Sequence, residues 1–258
     1  MKILICGKGG SGKSTVSVLL ARAFNGLGYR VLLVDADESN FGVPHLLGVD
    51  APENLMDSLG GKKGFKQQLN QGLAPDAAFG GKRRMDGIPE KCRVDAGGIL
   101  MTAVGKIHNF GEGCACPMGV LSKRFLSSLE TGENEIVIVD AEAGVEHFGR
   151  GVDGQCDLLI GVVDPTAESF LLAEKIIEMG AAAHRDVFFI LNKAEPEIEA
   201  IMRSRIDPAR LLGVIPKSNS LFLASLEGRP LEYPDTGMDE IAKEIIARFA
   251  GRSVETLL

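Results

Sequence analysis

At 258 residues, 45% hydrophobic and 24% charged, the chain can bury a sizeable core in one globular unit, and it shows no repeat or low-complexity stretch. Its formal net charge of -7 argues against a general nucleic-acid or anionic-membrane binder, and two tyrosines without a tryptophan leave no stacking platform for single strands. No apolar run reaches membrane-span length and no leader precedes the first strand, so five unevenly spaced cysteines read as reduced thiols of a cytoplasmic protein, open to metal or redox chemistry.

Lys2-Ile3-Leu4-Ile5-Cys6 is a short apolar run that predicts a buried strand. It opens into Gly7-Lys8-Gly9-Gly10-Ser11-Gly12-Lys13-Ser14-Thr15, which fits the phosphate-loop pattern G-x-x-x-x-G-K-[ST]. Thr15 to Phe24 follows with apolar residues at helical spacing. In a strand, glycine loop, helix context the backbone amides of residues 9–15 can wrap a phosphate, and the helix N-terminus adds partial positive charge. Lys13 then reaches the outer phosphates and the Ser14 hydroxyl becomes a magnesium ligand, so the expected ligands are ATP or ADP with Mg2+. Lys8 is more than one phosphate cradle needs. The spelling K-G-G-x-G-K-[ST] resembles the deviant phosphate loop of the MinD, ParA and nitrogenase iron protein superfamily. That resemblance implies that Lys8 crosses to a partner's nucleotide, as an arginine finger does, in a homodimer that closes on ATP.

Tyr29 to Val34 predicts a second strand, ending in Asp35-Ala36-Asp37. Acidic residues at the carboxyl end of a parallel strand face the ligand crevice of a doubly wound sheet. The resemblance gives Asp37 the attacking water and Asp35 the metal side, although Glu38 stands where the superfamily often has proline. Residues 52–97, with Gly60-Gly61-Lys62-Lys63, Gly80-Gly81-Lys82-Arg83-Arg84 and short helical pieces such as Phe65 to Leu69, read as an irregular, nucleotide-responsive or partner-facing insertion within a single domain of residues 1–258. A buried strand is expected over 98–104 and a helix over about 118–129. Glu135 to Asp140 is a strand closing on an aspartate, the Walker B pattern, in which Asp140 holds magnesium through water. Gly144 lies where a second switch needs a free amide for the γ-phosphate, within a segment running to Arg150 that changes shape on hydrolysis.

Strands are expected over 157–163 and 186–191, with a helix over 167–182 between them. Asn192-Lys193 follows like the base-reading N-K-x-D element, but Glu195 holds the aspartate position, which favours ATP over GTP. Leu211 to Lys217 reads as a last short strand and turn; in the superfamily this turn, here Pro216 and Lys217, packs on the adenine. Met238 to Phe249 predicts a helix whose mixed charges suit packing on the sheet better than lying on a membrane. The expected fold is α/β: a single doubly wound, mostly parallel sheet flanked by helices.

Cys114-x-Cys116 sets the chain apart. Two thiolates at i and i+2 can share one metal, but a closed tetrahedral site needs four ligands, and a two-fold dimer supplies them. Zinc, nickel or an iron–sulfur cluster all accept soft ligands, while a redox pair or spectator thiols remain open readings. His108 and His147 are possible auxiliary ligands and equally structural histidines; Cys6, Cys92 and Cys156 read as spectators. Gly113-Cys114-Ala115-Cys116-Pro117, followed by Asp140-Ala141-Glu142-Ala143-Gly144-Val145-Glu146-His147 and Gly149-Arg150, resembles the CooC-type accessory ATPases. The resemblance implies a metallochaperone with nickel or zinc held by Cys114 and Cys116 at the dimer interface. Its client is a nickel-containing carbon monoxide dehydrogenase or acetyl-CoA synthase, and its catalytic set is Lys8, Lys13, Asp37 and Asp140; neither nucleic acid nor membrane is an expected partner. Two rival readings are a MinD/ParA-like positioning switch and an electron-donating iron–sulfur ATPase. The nitrogenase iron protein places one cysteine in each of two loops, and residues 144–150 contain none.

Overall fold

A computed structural model describes residues 1–70, 81–107, 116–232 and 237–249. Its sheet is built from β1 (Lys2–Gly7), β2 (Arg30–Asp35), β3 (Val94–Asp95), β4 (Ile99–Ala103), β5 (Glu135–Asp140), β6 (Leu158–Val163), β7 (Asp186–Ala194) and β8 (Leu211–Pro216). The spatial order is β3-β4-β2-β5-β1-β6-β7-β8, and among the described residues β3 alone runs antiparallel. The central strands are apolar at successive positions, so both faces of the sheet must be covered. One face carries Ile3, Ile5, Val31, Leu33, Ile136 and Ile138 into a core shared with α1 (Lys13–Gly26) and α10 (Met238–Phe249). The other carries Leu4, Leu32, Val34, Val137 and Val139 into a core shared with α5 (Cys116–Ser128) and α7 (Ala167–Ala182). The doubly wound, mostly parallel sheet expected from the sequence is what the chain forms. Its strand order reverses around β1, and crevices of such sheets open there, beyond the carboxyl ends of the strands.

Several boundaries move, with consequences for the site. The second strand is Arg30–Asp35, one residue later than expected, so Asp35 lies inside the ladder directly beside Asp140. The helix expected from about Met118 begins at Cys116. The seventh strand runs on to Ala194, taking Asn192 and Lys193 into the ladder through an irregular register. Four helices complete the upper rim and flanks: α2 (Val43–Leu47), α6 (Glu146–Arg150), α8 (Pro196–Ser204) and α9 (Asn219–Glu227).

Residues 52–70 and 81–97 carry more regular structure than an irregular insertion would. Residues 71–80 lie outside the described part, but around them stand α3 (Leu55–Ser58), α4 (Gly61–Asn70), two short 3-10 turns and β3. Leu55, Met56, Phe65, Met85, Ile88 and Cys92 are buried in the second core. Burial of this kind contributes roughly 1.5–3 kcal/mol per large side chain, enough to hold short helices that propensity alone would not. The Asn54 side chain caps α3 by accepting from the Asp57 amide at 2.9 Å. Part of the basic cluster is also structural, since Arg84 pairs with buried Glu135 at 3.1 Å.

Candidate active site

β1 ends at Gly7, whose φ of 143° and close approach to the Val162 carbonyl leave no room for a Cβ. The chain then wraps back on itself, the Ser11 amide donating to the Lys8 carbonyl at 3.1 Å, and enters α1 through Gly12 at φ 99°. A Cβ on Gly12 would lie 2.2 Å from the Asn192 side-chain nitrogen. That nitrogen donates to the Ser11 carbonyl at 2.8 Å, and Lys193 Nζ donates to the Gly10 carbonyl at 2.6 Å. Asn192 and Lys193, expected at the base, thus grip the phosphate loop from β7. The first turn of α1 holds no acidic residue, so its amides and partial positive charge stay available to an anion. Lys13 is nearly buried under the loop and reaches back to the Lys8 carbonyl at 3.4 Å.

The carboxylates gather on the other side of the loop. Asp140 is fully buried; its two oxygens accept from Ser14 Oγ at 2.6 Å and Ser17 Oγ at 3.0 Å. Burial pushes its pKa up, against the opposing pull of the Ser14 hydroxyl and the Lys13 charge. Burial also raises Asp35, to about 7, with the neighbouring Asp140 charge adding and the Lys106 ammonium opposing. Asn40 donates to Ser14 Oγ at 2.6 Å and closes the ring of polar groups. Ser14, Asp35 and Asp140 form a set of hard oxygen donors, the kind Mg2+ accepts.

Asp37 does not point freely into the crevice. Its Oδ1 accepts from the Ser39 amide at 2.9 Å and the Ser39 hydroxyl at 2.6 Å. Lys8 pairs with Asp164 of its own chain at 3.4 Å, and Asp164 in turn accepts from Ser169 Oγ and Thr166 Oγ1. The Gly144 amide, expected to be free, donates to the Gly7 carbonyl at 3.1 Å. Pro216 ends β8, and Lys217 pairs with Glu195 at 2.5 Å, which puts a cation beside the residue that replaces the guanine-reading aspartate.

The segment after Asp140 leans on α5, the helix that begins at Cys116. Arg150 pairs with Glu142 at 2.6 Å and reaches toward Glu38 at 3.8 Å. Gly119 of α5 accommodates the arginine stem, since a Cβ there would meet Arg150 Cδ at 2.2 Å. Burial and the adjacent Glu38 charge push Glu142 up to about 7. His147 is buried beside this cluster, with neither ring nitrogen hydrogen-bonded among the described residues. Burial, and then the charges of Lys13 and Arg150, hold it down to about 4, so it is a neutral imidazole at pH 7.

Cys116 is exposed at the first turn of α5, whereas Cys114 and His108 lie outside the described residues. No group of three or more His, Cys, Asp and Glu among the described residues could hold a metal ion, so one chain's described part makes no closed thiolate site. Cys6, Cys92 and Cys156 are buried, and burial lifts the Cys6 and Cys156 thiols to about 12. No helix among the described residues is long and apolar enough to cross a membrane. Sequence reasoning missed Asn40, Ser17, Asp164 and Lys106. Each acts through a partner far away in the chain or on a neighbouring strand, and none belongs to a pattern with fixed spacing.

Residues 2–231 match the family described as the CobQ/CobB/MinD/ParA nucleotide binding domain. The chain is 44% identical over 233 residues to an ATP-binding protein of Methanocaldococcus jannaschii, covering 90% of this chain and 94% of that one. It is 35% identical over 236 residues to the carbon monoxide dehydrogenase accessory protein CooC of Rhodospirillum rubrum, covering 88% of each. Among solved structures it matches the septum site-determining protein MinD complexed with Mg-ADP from Pyrococcus horikoshii with a TM-score of 0.65, covering 97% and 98% of the two chains; at 19% identity that likeness concerns the fold.

Proposed function

Because the chain belongs to the CobQ/CobB/MinD/ParA nucleotide-binding family and is an ATP hydrolase of the P-loop class, we propose that it is a maturation ATPase that delivers nickel to carbon monoxide dehydrogenase or acetyl-CoA synthase. The observation that carries this reading is the coupling of Arg150, from the segment after Asp140, to Gly119 on the helix that begins at Cys116. A nucleotide-dependent change at residues 140–150 then has a direct mechanical route to the thiolate that would take the metal. Likeness to the CooC protein of Rhodospirillum rubrum supports the choice of client.

In this reading the amides of residues 9–15 bind the phosphates, and Lys13 neutralises charge that develops on the transferred group. Lys8 leaves Asp164 and acts across a homodimer on the partner's nucleotide. Asp37 leaves Ser39 and orients the attacking water. Bound Mg2+, held at Ser14, Asp140 and Asp35, would supply further positive charge to the phosphates. Lys193, Asn192, Pro216 and Lys217 shape the floor and the base end of the nucleotide site. Cys114 and Cys116 of two chains hold the cargo ion, nickel or zinc, in a four-thiolate site in a cytoplasmic protein.

The test is metal content and oligomeric mass of anaerobically prepared protein, wild type beside Cys114→Ser/Cys116→Ser, with ADP and with ATP. One metal per dimer, lost in the double variant, is the expected result. A metal-free protein whose dimerisation ignores both cysteines overturns the chaperone reading. The positioning-switch reading draws on the family match, which takes in MinD and ParA; ATP-dependent pelleting with lipid or DNA would favour it instead.

A further inference from the structure

Lys106 belongs to none of the sequence motifs, yet its side chain is only 9% exposed. Its ammonium has three N–H donors, and three oxygens of one short segment receive them. Nζ lies 2.7 Å from Asp35 Oδ2 and 2.6 Å from the Asp37 carbonyl, and it also donates to the Asn40 carbonyl. The backbone around it repeats the attachment. The Val104 amide donates to the Asp35 carbonyl at 2.9 Å and the Ile107 amide to the Glu38 carbonyl at 3.1 Å. Residues 104–107 therefore extend the β2–β4 pairing past its formal end, along the segment that carries Asp35, Asp37 and Asn40. Within the same stretch, a Cβ on Gly105 would lie 3.1 Å from Met56 and 3.3 Å from Met118 of α5, two residues beyond Cys116. Residues 104–107 are thus tied to the acidic segment, and they abut α5, the helix that begins at Cys116.

We propose that Lys106 is a positioning residue that makes the shape of residues 35–40 and the exposure of Cys116 change together. The inference rests on the ATPase reading above and names how its two sites communicate. One ammonium spans a carboxylate and two backbone carbonyls, so a shift of Asp35 within the nucleotide site leaves that cation short of its strongest partner. The Asp37 and Asn40 carbonyls then lose their shared anchor, and residues 104–107 lose their fixed attachment to them. A neutral side chain at position 106 would leave the two segments joined only by the Val104–Asp35 and Ile107–Glu38 backbone hydrogen bonds, with no side-chain anchor on Asp35, Asp37 and Asn40. An arginine keeps the charge but cannot place one nitrogen against all three oxygens, so it transmits less.

The experiment compares wild type, Lys106→Met and Lys106→Arg as full-length protein, each nucleotide-free and saturated with Mg2+ and a non-hydrolysable ATP analogue. The readout is the mass-resolved rate of Cys116 alkylation by iodoacetamide, with analogue binding measured in parallel. Wild type is expected to change its alkylation rate by at least about fivefold on binding, the lower end of ordinary coupling between sites. Lys106→Met is expected to bind the analogue yet bring that ratio to within about twofold, below the same threshold, with Lys106→Arg in between. A wild-type ratio near one, or an unchanged ratio in Lys106→Met, overturns the proposal. Should Lys106→Met fail to fold, an unchanged ratio in Lys106→Arg overturns it and a reduced one supports it. Alkylation needs no metal, so a protein that couples its thiol to nucleotide but holds no nickel would fail the chaperone reading alone.

Discussion

On the β7 side of the crevice the phosphate loop is gripped by Asn192 and Lys193 through backbone carbonyls. On the β2–β5 side it meets a cluster of acids, buried Asp35, Glu38 and Asp140 with half-buried Glu142, balanced by Lys106 and Arg150. The first wall is hydrogen bonding to main chain, satisfied without a ligand. The second is a charge balance in low dielectric, where adding or removing one cation changes every neighbour's energy. One wall is built to keep its shape, and the other to respond.

The largest effect that sharpens this contrast is expected from Lys13, the cation between the walls. Lys13→Ala should lower kcat for ATP hydrolysis roughly 10²–10³-fold, as loss of a preorganised charge-stabilising group does. Steady-state phosphate release, with circular dichroism as a check on folding, measures it. Gly119→Ala probes the responsive wall from outside. The new methyl group must displace the Arg150 stem, an overpacking cost of about 1–3 kcal/mol, partly offset by better helix propensity. Denaturant unfolding should show a net loss of stability, and an unchanged midpoint would mean that Arg150 sits there loosely.

His147 gives the pH counterpart. Its folded-state pKa near 4 lies below the ordinary value of 6.5, so the unfolded chain binds the extra proton between those values. Stability from His147 is therefore complete above pH 6.5 and is lost as pH falls toward 4, with a slope of up to about 1.4 kcal/mol per pH unit. Asp35 and Glu142, both raised to about 7, act in the opposite sense, favouring the folded state at lower pH. Subtracting the stability–pH curve of His147→Phe from that of wild type isolates the histidine; parallel curves would refute the assignment. The smallest expected effect is on the fixed wall: Asn192→Ala removes one hydrogen bond to Ser11, worth about 1 kcal/mol. It should raise KM more than it lowers kcat, and a kcat-only loss would mean that this wall moves during turnover.

What could be read from the sequence follows the same divide. Ile3-Leu4-Ile5, the glycines around Lys13 and the Glu135–Asp140 run carry local patterns, so the strand, loop and helix at the fixed wall announce themselves. The α10 helix, Met238–Phe249, is where helical spacing put it. A helical piece from Phe65 to Leu69 could be read, but the burial of Phe65 was hidden because a single aromatic among Gly, Lys and Gln gives no period. Lys106 was hidden for another reason. A lone lysine after a strand usually points to water, and only the distance to Asp35, 71 residues earlier, reveals its partner. The Asp37 and Lys8 side chains were assigned by motif, and the structure holds both in contacts within their own chain, on Ser39 and Asp164. Motifs record which residues meet a ligand, whereas the contacts of the unliganded chain depend on neighbours that no motif includes.

The two-residue β3 has a consequence for how the protein behaves in concentrated solution. It covers one margin of the sheet with only Val94 and an exposed Asp95, and the opposite margin, β8, ends in Pro216, which has no N–H to offer. Neither margin is a good template for the strand of another molecule, because a stub with a charge and a strand closed by proline both cut short the ladder that strand addition needs. A mostly parallel sheet is thereby protected from fibrillar stacking at both ends, and growth by edge-to-edge pairing is disfavoured however crowded the solution.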